Sequence, residues 1–259
     1  MKKYILDFKL TENKALHDAY VLLKLTPADG ALLPPMLPGQ FVNILIPDSP
    51  KTYLRRPISV HNVDMEQNEL WLLVRKAGEG TKHLAAMPAG SIVYMVVPLG
   101  NTFSYPSHKH ASPLLVGGGV GVAPLLYWGK ELLKQGYAPQ FLLGARSKKD
   151  LLQLEEFAAI GNVHIATDDG SCGEKGVVTQ HSVWNDDFSF IYACGPKPMM
   201  VAVASKARSK QTPCEVSLEN MMACGVGACL CCVEKSTSGH VCVCKEGPIF
   251  NIEQLTWQI

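Results

Sequence analysis

The chain lacks a dominant charge, an unbroken apolar run and any metal-binding histidine spacing, and each lack closes off a class of function. Lys and Arg (24) nearly balance Asp and Glu (23), a formal net charge of +1 over 259 residues. No overall field therefore favours nucleic acid or an anionic membrane, and partners must be recognised locally. The apolar start Tyr4-Ile5-Leu6 meets Asp7 before a secretory segment can form, which predicts a cytoplasmic protein. The uncharged run Ala111 to Gly129 approaches the length of a membrane span. It contains Gly117-Gly118-Gly119, Gly121 and Pro124, which suit a turn, so no membrane segment is expected. The eight histidines show no HExxH spacing, and His108 and His110 bracket a loop where both are expected in solvent.

Cysteine, by contrast, is plentiful. Nine cysteines in a chain with no export signal argue against a disulfide framework, because cytosolic thiols are kept reduced. Cys172, Cys194 and Cys214 are scattered, while the other six fall between Cys224 and Cys244. The tail is a chemical district of its own.

A chain of this length with 47% hydrophobic residues buries a large core and divides into more than one domain. In the first hundred residues short apolar or alternating runs (Tyr20 to Leu25, Phe41 to Ile46, Glu69 to Arg75, Ser91 to Val97) are separated by Gly, Pro, Asp and Asn. They predict an antiparallel barrel, interrupted only by a helical stretch at Thr81 to Met87. After Pro106 the rhythm changes. Strands at Leu114 to Val116, Phe141 to Leu143, Val163 to Thr167 and Phe190 to Ala193 alternate with helices at Ala123 to Gln135, Leu151 to Ile160 and Met199 to Ser209. Pro124 stands in the first turn of one helix and Gly136 follows its end. Such alternation predicts an open parallel α/β sheet. Past Pro213 the chain is rich in Cys and Gly without a long periodic segment. The reading gives three domains, residues 1–102, 103–212 and 213–259.

The strongest motif is Cys224-Gly225-Val226-Gly227-Ala228-Cys229-Leu230-Cys231-Cys232, a C-x4-C-x2-C run followed by a distant cysteine. This is the plant-type 2Fe-2S ferredoxin spacing. A tight loop brings three thiolates together, and Gly225 and Gly227 let backbone amides approach the sulfurs. Cys231 is expected to face away. Zinc also takes four thiolates but usually through two CxxC-like pairs, which the first gap of four residues does not match. Spacing leaves the fourth ligand open between Cys242 and Cys244.

Two further signals concern anions. In Leu54-Arg55-Arg56-Pro57-Ile58-Ser59-Val60 a basic pair leads through proline into a strand; alone, an edge strand with solvated arginines explains it better. It gains weight from Arg75-Lys76-Ala77-Gly78-Glu79-Gly80-Thr81, whose glycines open a short helix able to present amides to a pyrophosphate. Val116-Gly117-Gly118-Gly119-Val120-Gly121-Val122-Ala123-Pro124 follows a strand and opens a helix, as a nucleotide phosphate site requires, although it only approximates GxGxxG. Thr167-Asp168-Asp169-Gly170-Ser171 and Ala193-Cys194-Gly195-Pro196 lie at the same carboxyl edge.

The order RPxS, GxGT, GGGxGxxP and CGP resembles the ferredoxin reductase superfamily, which pairs a Greek-key FAD-binding β-barrel with a Rossmann-like NAD(P) domain. MACGVGACLCC followed by VCKEGPIF is similar to the electron transfer subunits of the two-protein, NAD-linked dihydroorotate dehydrogenases of pyrimidine (UMP) biosynthesis. The resemblance implies that dihydroorotate is oxidised at FMN in a separate catalytic subunit, within a heterotetramer of two subunits of each kind. Electrons then pass through a 2Fe-2S cluster and FAD to NAD+, and this chain does not touch dihydroorotate. It implies FAD contacts at Arg56, Pro57, Ile58 and Ser59, with Ser59 nearest the isoalloxazine, and along the backbone of Leu73, Val74, Arg75, Gly80 and Thr81. Gly118, Gly119, Gly121 and Asp168 would line the nicotinamide nucleotide site, and Cys194 and Gly195 the place where nicotinamide meets flavin. In that family the last cysteine directly precedes the xxGP[IV]F segment, which makes Cys224, Cys229, Cys232 and Cys244 the ligand set.

Other readings differ in partner or class. The chain has the cofactors expected of a subunit serving a hydrogenase or an NAD(P)H:ferredoxin complex; a redox-sensing binding module would lack a use for the flavin and nucleotide motifs. Arg146-Ser147-Lys148-Lys149 offers cations for the 2′-phosphate of NADP, whereas Asp168-Asp169 favours the unphosphorylated ribose of NAD.

Overall fold

The computed structural model describes residues 2–108 and 111–257, so the expectation for His110 lies outside the described residues. The chain divides into two compact units. The first comprises Met1–Thr102, Asn220–Glu234 and Val241–Pro248, the second Phe103–Glu219, Lys235–His240 and Ile249–Ile259. Among the described residues no helix is long and apolar enough to cross a membrane.

In the first unit β1 (Tyr4–His17), β2 (Tyr20–Pro27), β3 (Phe41–Leu45), β4 (Arg56–Asp64) and β5 (Glu69–Arg75) precede α1 (Glu79–Ala86) and β6 (Ile92–Leu99). The strands close into a barrel of order β1-β2-β5-β4-β3-β6, with β6 pairing β1 as well as β3. Phe8, Leu10, Leu23, Leu25, Ile44, Val60, Leu70, Leu72, Val93 and Met95 fill it, alternating with outward residues as the two-residue strand period demands. Closure corrects one expectation. The strand after Arg55-Arg56 is not an edge strand, because β4 lies between β3 and β5. The long β1 was not anticipated; it carries register shifts at Leu10/Glu12 and Ala15/His17, and these bulges break the alternation that would reveal it.

In the second unit β7 (Leu114–Gly118) runs through a 3₁₀ turn into α2 (Ala123–Lys134), followed by β8 (Gln140–Ala145), α3 (Leu154–Ala158), β9 (Asn162–Thr167) and β10 (Glu174–Lys175). Then come β11 (Ile191–Cys194), α4 (Lys197–Ser209) and β12 (Cys214–Ser217). The tail adds a two-stranded ribbon of β13 (Val233–Ser236) and β14 (Gly239–Cys242), then α5 (Val243–Glu246) and β15 (Ile249–Asn251). The sheet order is β10-β9-β8-β7-β11-β12-β15, parallel except where β15 runs against β12. Two strands of this sheet thus come from the chain beyond Pro213. The helix expected from Leu151 to Ile160 forms only as α3, since a 3₁₀ turn occupies Lys148–Asp150 and Gln153 takes a left-handed φ of 51°.

Candidate cofactor sites and the cysteine loop

In the barrel, β4 and β5 pair from Val60↔Leu72 to Asp64↔Glu69 and then part. Beyond that point Arg56 to Ser59 pair with β3 alone, and Leu73 to Arg75 with β2 alone. The fork opens between the two segments whose sequence suggested flavin contacts, and it turns main-chain groups of both toward the gap. The side chains of Leu73 and Val74 are buried in the core, so only their backbone is available to a ligand.

The arginine and the glycine turn also converge. A Cβ on Gly80 would stand 3.0 Å from Arg56 Nε and 2.8 Å from Thr52 Cγ2, so only glycine lets the start of α1 come this close to the guanidinium. Arg56 Nη1 donates to the carbonyls of Leu54 (2.8 Å) and Arg55 (3.3 Å), which fixes the fork of donors in place. Thr81 Oγ1 accepts from the amides of Ala77 (3.0 Å) and Gly78 (3.1 Å) and so shapes the turn rather than reaching outward. Arg55 turns onto backbone, its Nη1 donating to Tyr94 O at 3.3 Å.

In the second unit the glycine turn stands at the carboxyl end of β7. Gly119 has φ +56°, a conformation that favours glycine. A Cβ on Gly121 would meet Cys194 O at 2.4 Å and Gly195 Cα at 2.5 Å, and one on Gly118 would meet Met199 Sδ at 2.6 Å. The glycines thus serve a close approach of two loops, joined because β7 and β11 are parallel neighbours with Gly117 opposite Cys194. Met199 was not anticipated. Asp168 is exposed on the same edge, in the turn after β9, separated from β7 by β8. Its neighbour Asp169 is held below the usual carboxylate range by hydrogen bonds from the Ser171 hydroxyl and amide. Arg146, Lys148 and Lys149 are exposed. Cys194 is fully buried with its Sγ 3.9 Å from Glu219 Oε1; burial first, and then that carboxylate, push the thiol well above its ordinary value. Glu219 carried no motif in the sequence.

The cysteine loop belongs to the barrel's unit. Gly225 (φ +72°), Gly227 (+85°) and Leu230 (+59°) bend it so that successive amides face sulfur. Cys224 Sγ accepts from Val226 N (3.4 Å) and Ala228 N (3.3 Å), Cys244 Sγ from Gly227 N (3.1 Å), and Cys232 Sγ from Cys244 N (3.3 Å). Among the described residues no three His, Cys, Asp or Glu side chains close on a single metal ion. Four cysteines on one loop and the short helix after it are the donor set that a 2Fe-2S cluster takes. Burial raises the Cys224 thiol, but the amides of Val226, Cys229 and Ala228 and the Cys229 thiol outweigh it and hold the group at about 6. Cys244 is pushed up to about 12, by burial and then by Cys232. Cys231 is exposed. The Cys242 thiol donates to Gly227 O at 4.0 Å, whereas the Cys244 sulfur receives that residue's amide, so the donor pattern favours Cys244 as the ligand.

Residues 219–256 match the model of the iron-sulfur cluster binding domain of dihydroorotate dehydrogenase B, and residues 115–205 that of the oxidoreductase NAD-binding domain. The chain is 38% identical over 251 residues to the dihydroorotate dehydrogenase B (NAD(+)) electron transfer subunit of Shouchella clausii (strain KSM-K16), covering 94% of this chain and 95% of that one. It is 42% identical over 218 residues to the Bacillus caldolyticus subunit of the same name, covering 82% and 84%. Among solved structures, the NADH-dependent reduced ferredoxin-NADP oxidoreductase from work on flavin-based electron bifurcation superposes with a TM-score of 0.85 at 29% identity, covering 96% and 90%. Phthalate dioxygenase reductase, at 18% identity and a TM-score of 0.67 over 93% and 94%, shares the fold. On the identity and coverage of its relatives, the chain belongs to the family of electron transfer subunits of dihydroorotate dehydrogenase B (NAD(+)).

Proposed function

We propose that this chain passes electrons from an FMN-containing dihydroorotate dehydrogenase subunit through a 2Fe-2S cluster and FAD to NAD+, in pyrimidine biosynthesis. The observation that carries the reading is the cysteine loop in the same compact unit as the forked barrel, four of its amides already turned on the sulfurs of Cys224, Cys232 and Cys244. Cys224, Cys229, Cys232 and Cys244 would hold the cluster. When bound, the flavin exchanges a hydride with nicotinamide and single electrons with the cluster. The protein supplies position. Arg56 and the first amides of α1 neutralise pyrophosphate, while Pro57, Ile58, Ser59 and the backbone of Leu73 to Arg75 and Gly80-Thr81 line the ring and its chain. Gly118, Gly119 and Gly121 admit the nicotinamide nucleotide, Asp168 accepts from its ribose, and Cys194 and Gly195 border the nicotinamide. Cys194, buried and neutral, offers a soft wall rather than a nucleophile.

In functional terms residues 1–102 hold FAD, 103–212 hold NAD+ and 213–259 hold the cluster. The working assembly is a heterotetramer of two catalytic and two electron transfer subunits in the cytoplasm. Co-expression with an FMN-containing partner tests the whole reading. The expected product is a stable complex containing FAD, iron and sulfide, with dihydroorotate-dependent NAD+ reduction; a complex that carries these cofactors without that activity overturns it. Such an outcome revives service to a ferredoxin, which the superposition on the ferredoxin-NADP oxidoreductase favours.

Arg56→Ala is expected to lower FAD affinity by about tenfold to a hundredfold, the loss of one charge-assisted contact worth ~1.5–3 kcal/mol. Flavin occupancy after gel filtration reads it directly, and full occupancy removes Arg56 from the site.

A further inference from the structure

The apolar strand Phe41-Val42-Asn43-Ile44-Leu45 carries one polar side chain, and that side chain is fully buried. Asn43 Nδ2 donates to the carbonyl of Ala223 at 3.3 Å, the residue directly before Cys224. Its Oδ1 has no partner among the described residues. The amide orientation follows from the acceptor, since turning it over would set two oxygens against each other. A buried acceptor without a donor is unfavourable, and an apolar side chain of similar size would avoid it; the asparagine is there for the bond its nitrogen makes.

The surroundings leave the loop no slack. A Cβ on Gly225 would lie 2.9 Å from Asn43 Nδ2 and 3.0 Å from Leu99 Cδ1, so the cysteine loop is seated directly on β3 and β6. On its other side Asn43 stands opposite Pro57 of β4, in the strand segment that forms one arm of the fork. One residue therefore touches the loop that begins with Cys224 and neighbours the strand assigned to flavin.

We propose that Asn43 is a positioning residue that fixes the cluster loop against the flavin-bearing side of the barrel and so sets the path for electrons between the two groups. This rests on the cluster and flavin reading above. Asn43 touches neither reacting group, and its effect reaches them through Ala223 and Pro57.

The test uses the holoprotein in its complex, as wild type, Asn43→Leu and Asn43→Gln, each assayed for iron, sulfide and FAD. The electron paramagnetic resonance spectrum of the reduced cluster is recorded, and flavin and cluster bleaching by NADH are followed separately in anaerobic rapid mixing. Asn43→Leu is expected to keep FAD and its reduction by NADH within about twofold of wild type, while the spectrum changes and electron arrival at the cluster slows by about tenfold to a hundredfold. Asn43→Gln, which retains an amide donor, recovers part of the rate. Loss of the cluster alone, with flavin reduction intact, equally supports a loop seated by Asn43. A wild-type spectrum and rate in Asn43→Leu overturn the proposal, as does loss of FAD together with the cluster, which would make Asn43 a general barrel residue. Wild-type protein without iron overturns the cluster reading and this proposal with it, whereas iron-loaded wild type with unaffected variants overturns this proposal alone.

Discussion

Replacing Cys244 by serine is expected to abolish the cluster, and replacing Cys242 by serine to leave it in place. Both thiols flank Gly227, but in opposite senses. Cys244 Sγ receives the Gly227 amide at 3.1 Å, the contact that tunes a ligand sulfur. Cys242 Sγ faces the Gly227 carbonyl at 4.0 Å rather than an amide, and its backbone amide is bonded to Glu246 at 2.7 Å. Serine offers iron a much weaker ligand than thiolate, and a four-ligand cluster closed by three thiolates loses most of its binding free energy. Iron and acid-labile sulfide are expected to fall nearly to background in Cys244→Ser and to stay at the wild-type level in Cys242→Ser. The reverse pattern transfers the fourth position to Cys242.

Gly121→Val is the second large effect, and it falls on the other cofactor. At this position a Cβ meets main-chain atoms, Cys194 O at 2.4 Å and Gly195 Cα at 2.5 Å, rather than the end of a flexible side chain that might swing away. The two loops must separate, which costs about 2–4 kcal/mol of stability and opens the packed carboxyl edge of β7 and β11. If that edge receives the nicotinamide nucleotide, NADH affinity drops by about a hundredfold or more. The thermal midpoint of the purified variant and its rate of flavin reduction against NADH concentration separate the two effects. A variant that is destabilised but binds NADH normally leaves the turn a purely structural one.

What could be read from the residues divides by the kind of signal. Strand β5 stands where the alternation of Glu69 to Arg75 puts it, and α2 begins and ends as Pro124 and Gly136 require, because these features report local chemistry. Strand β1 escapes because bulges erase its period, and Gln153 shortens α3 through a backbone conformation that residue type does not announce. The cysteine spacing named a cluster but says nothing of which amide meets which sulfur; the GPIF context pointed to Cys244, and the Gly227 amide on that sulfur supports the choice. The fork between β4 and β5 is invisible in one dimension, since it is a property of pairing rather than of either strand. Asn43 did leave a trace, a lone polar residue among Phe41, Val42, Ile44 and Leu45, but without Ala223 beside it that trace has no meaning.

Neither compact unit is a continuous stretch of polypeptide, for the barrel's unit takes back Asn220–Glu234 and Val241–Pro248 after the chain has built the parallel sheet. Recombination that exchanges contiguous gene segments therefore cannot move the redox unit as a cassette. A graft ending at Thr102 carries the barrel without its cysteines, and one beginning at Pro213 carries the cysteines without Asn43. A transplanted redox unit must therefore span both barrel and tail to keep Asn43 beside the cysteine loop.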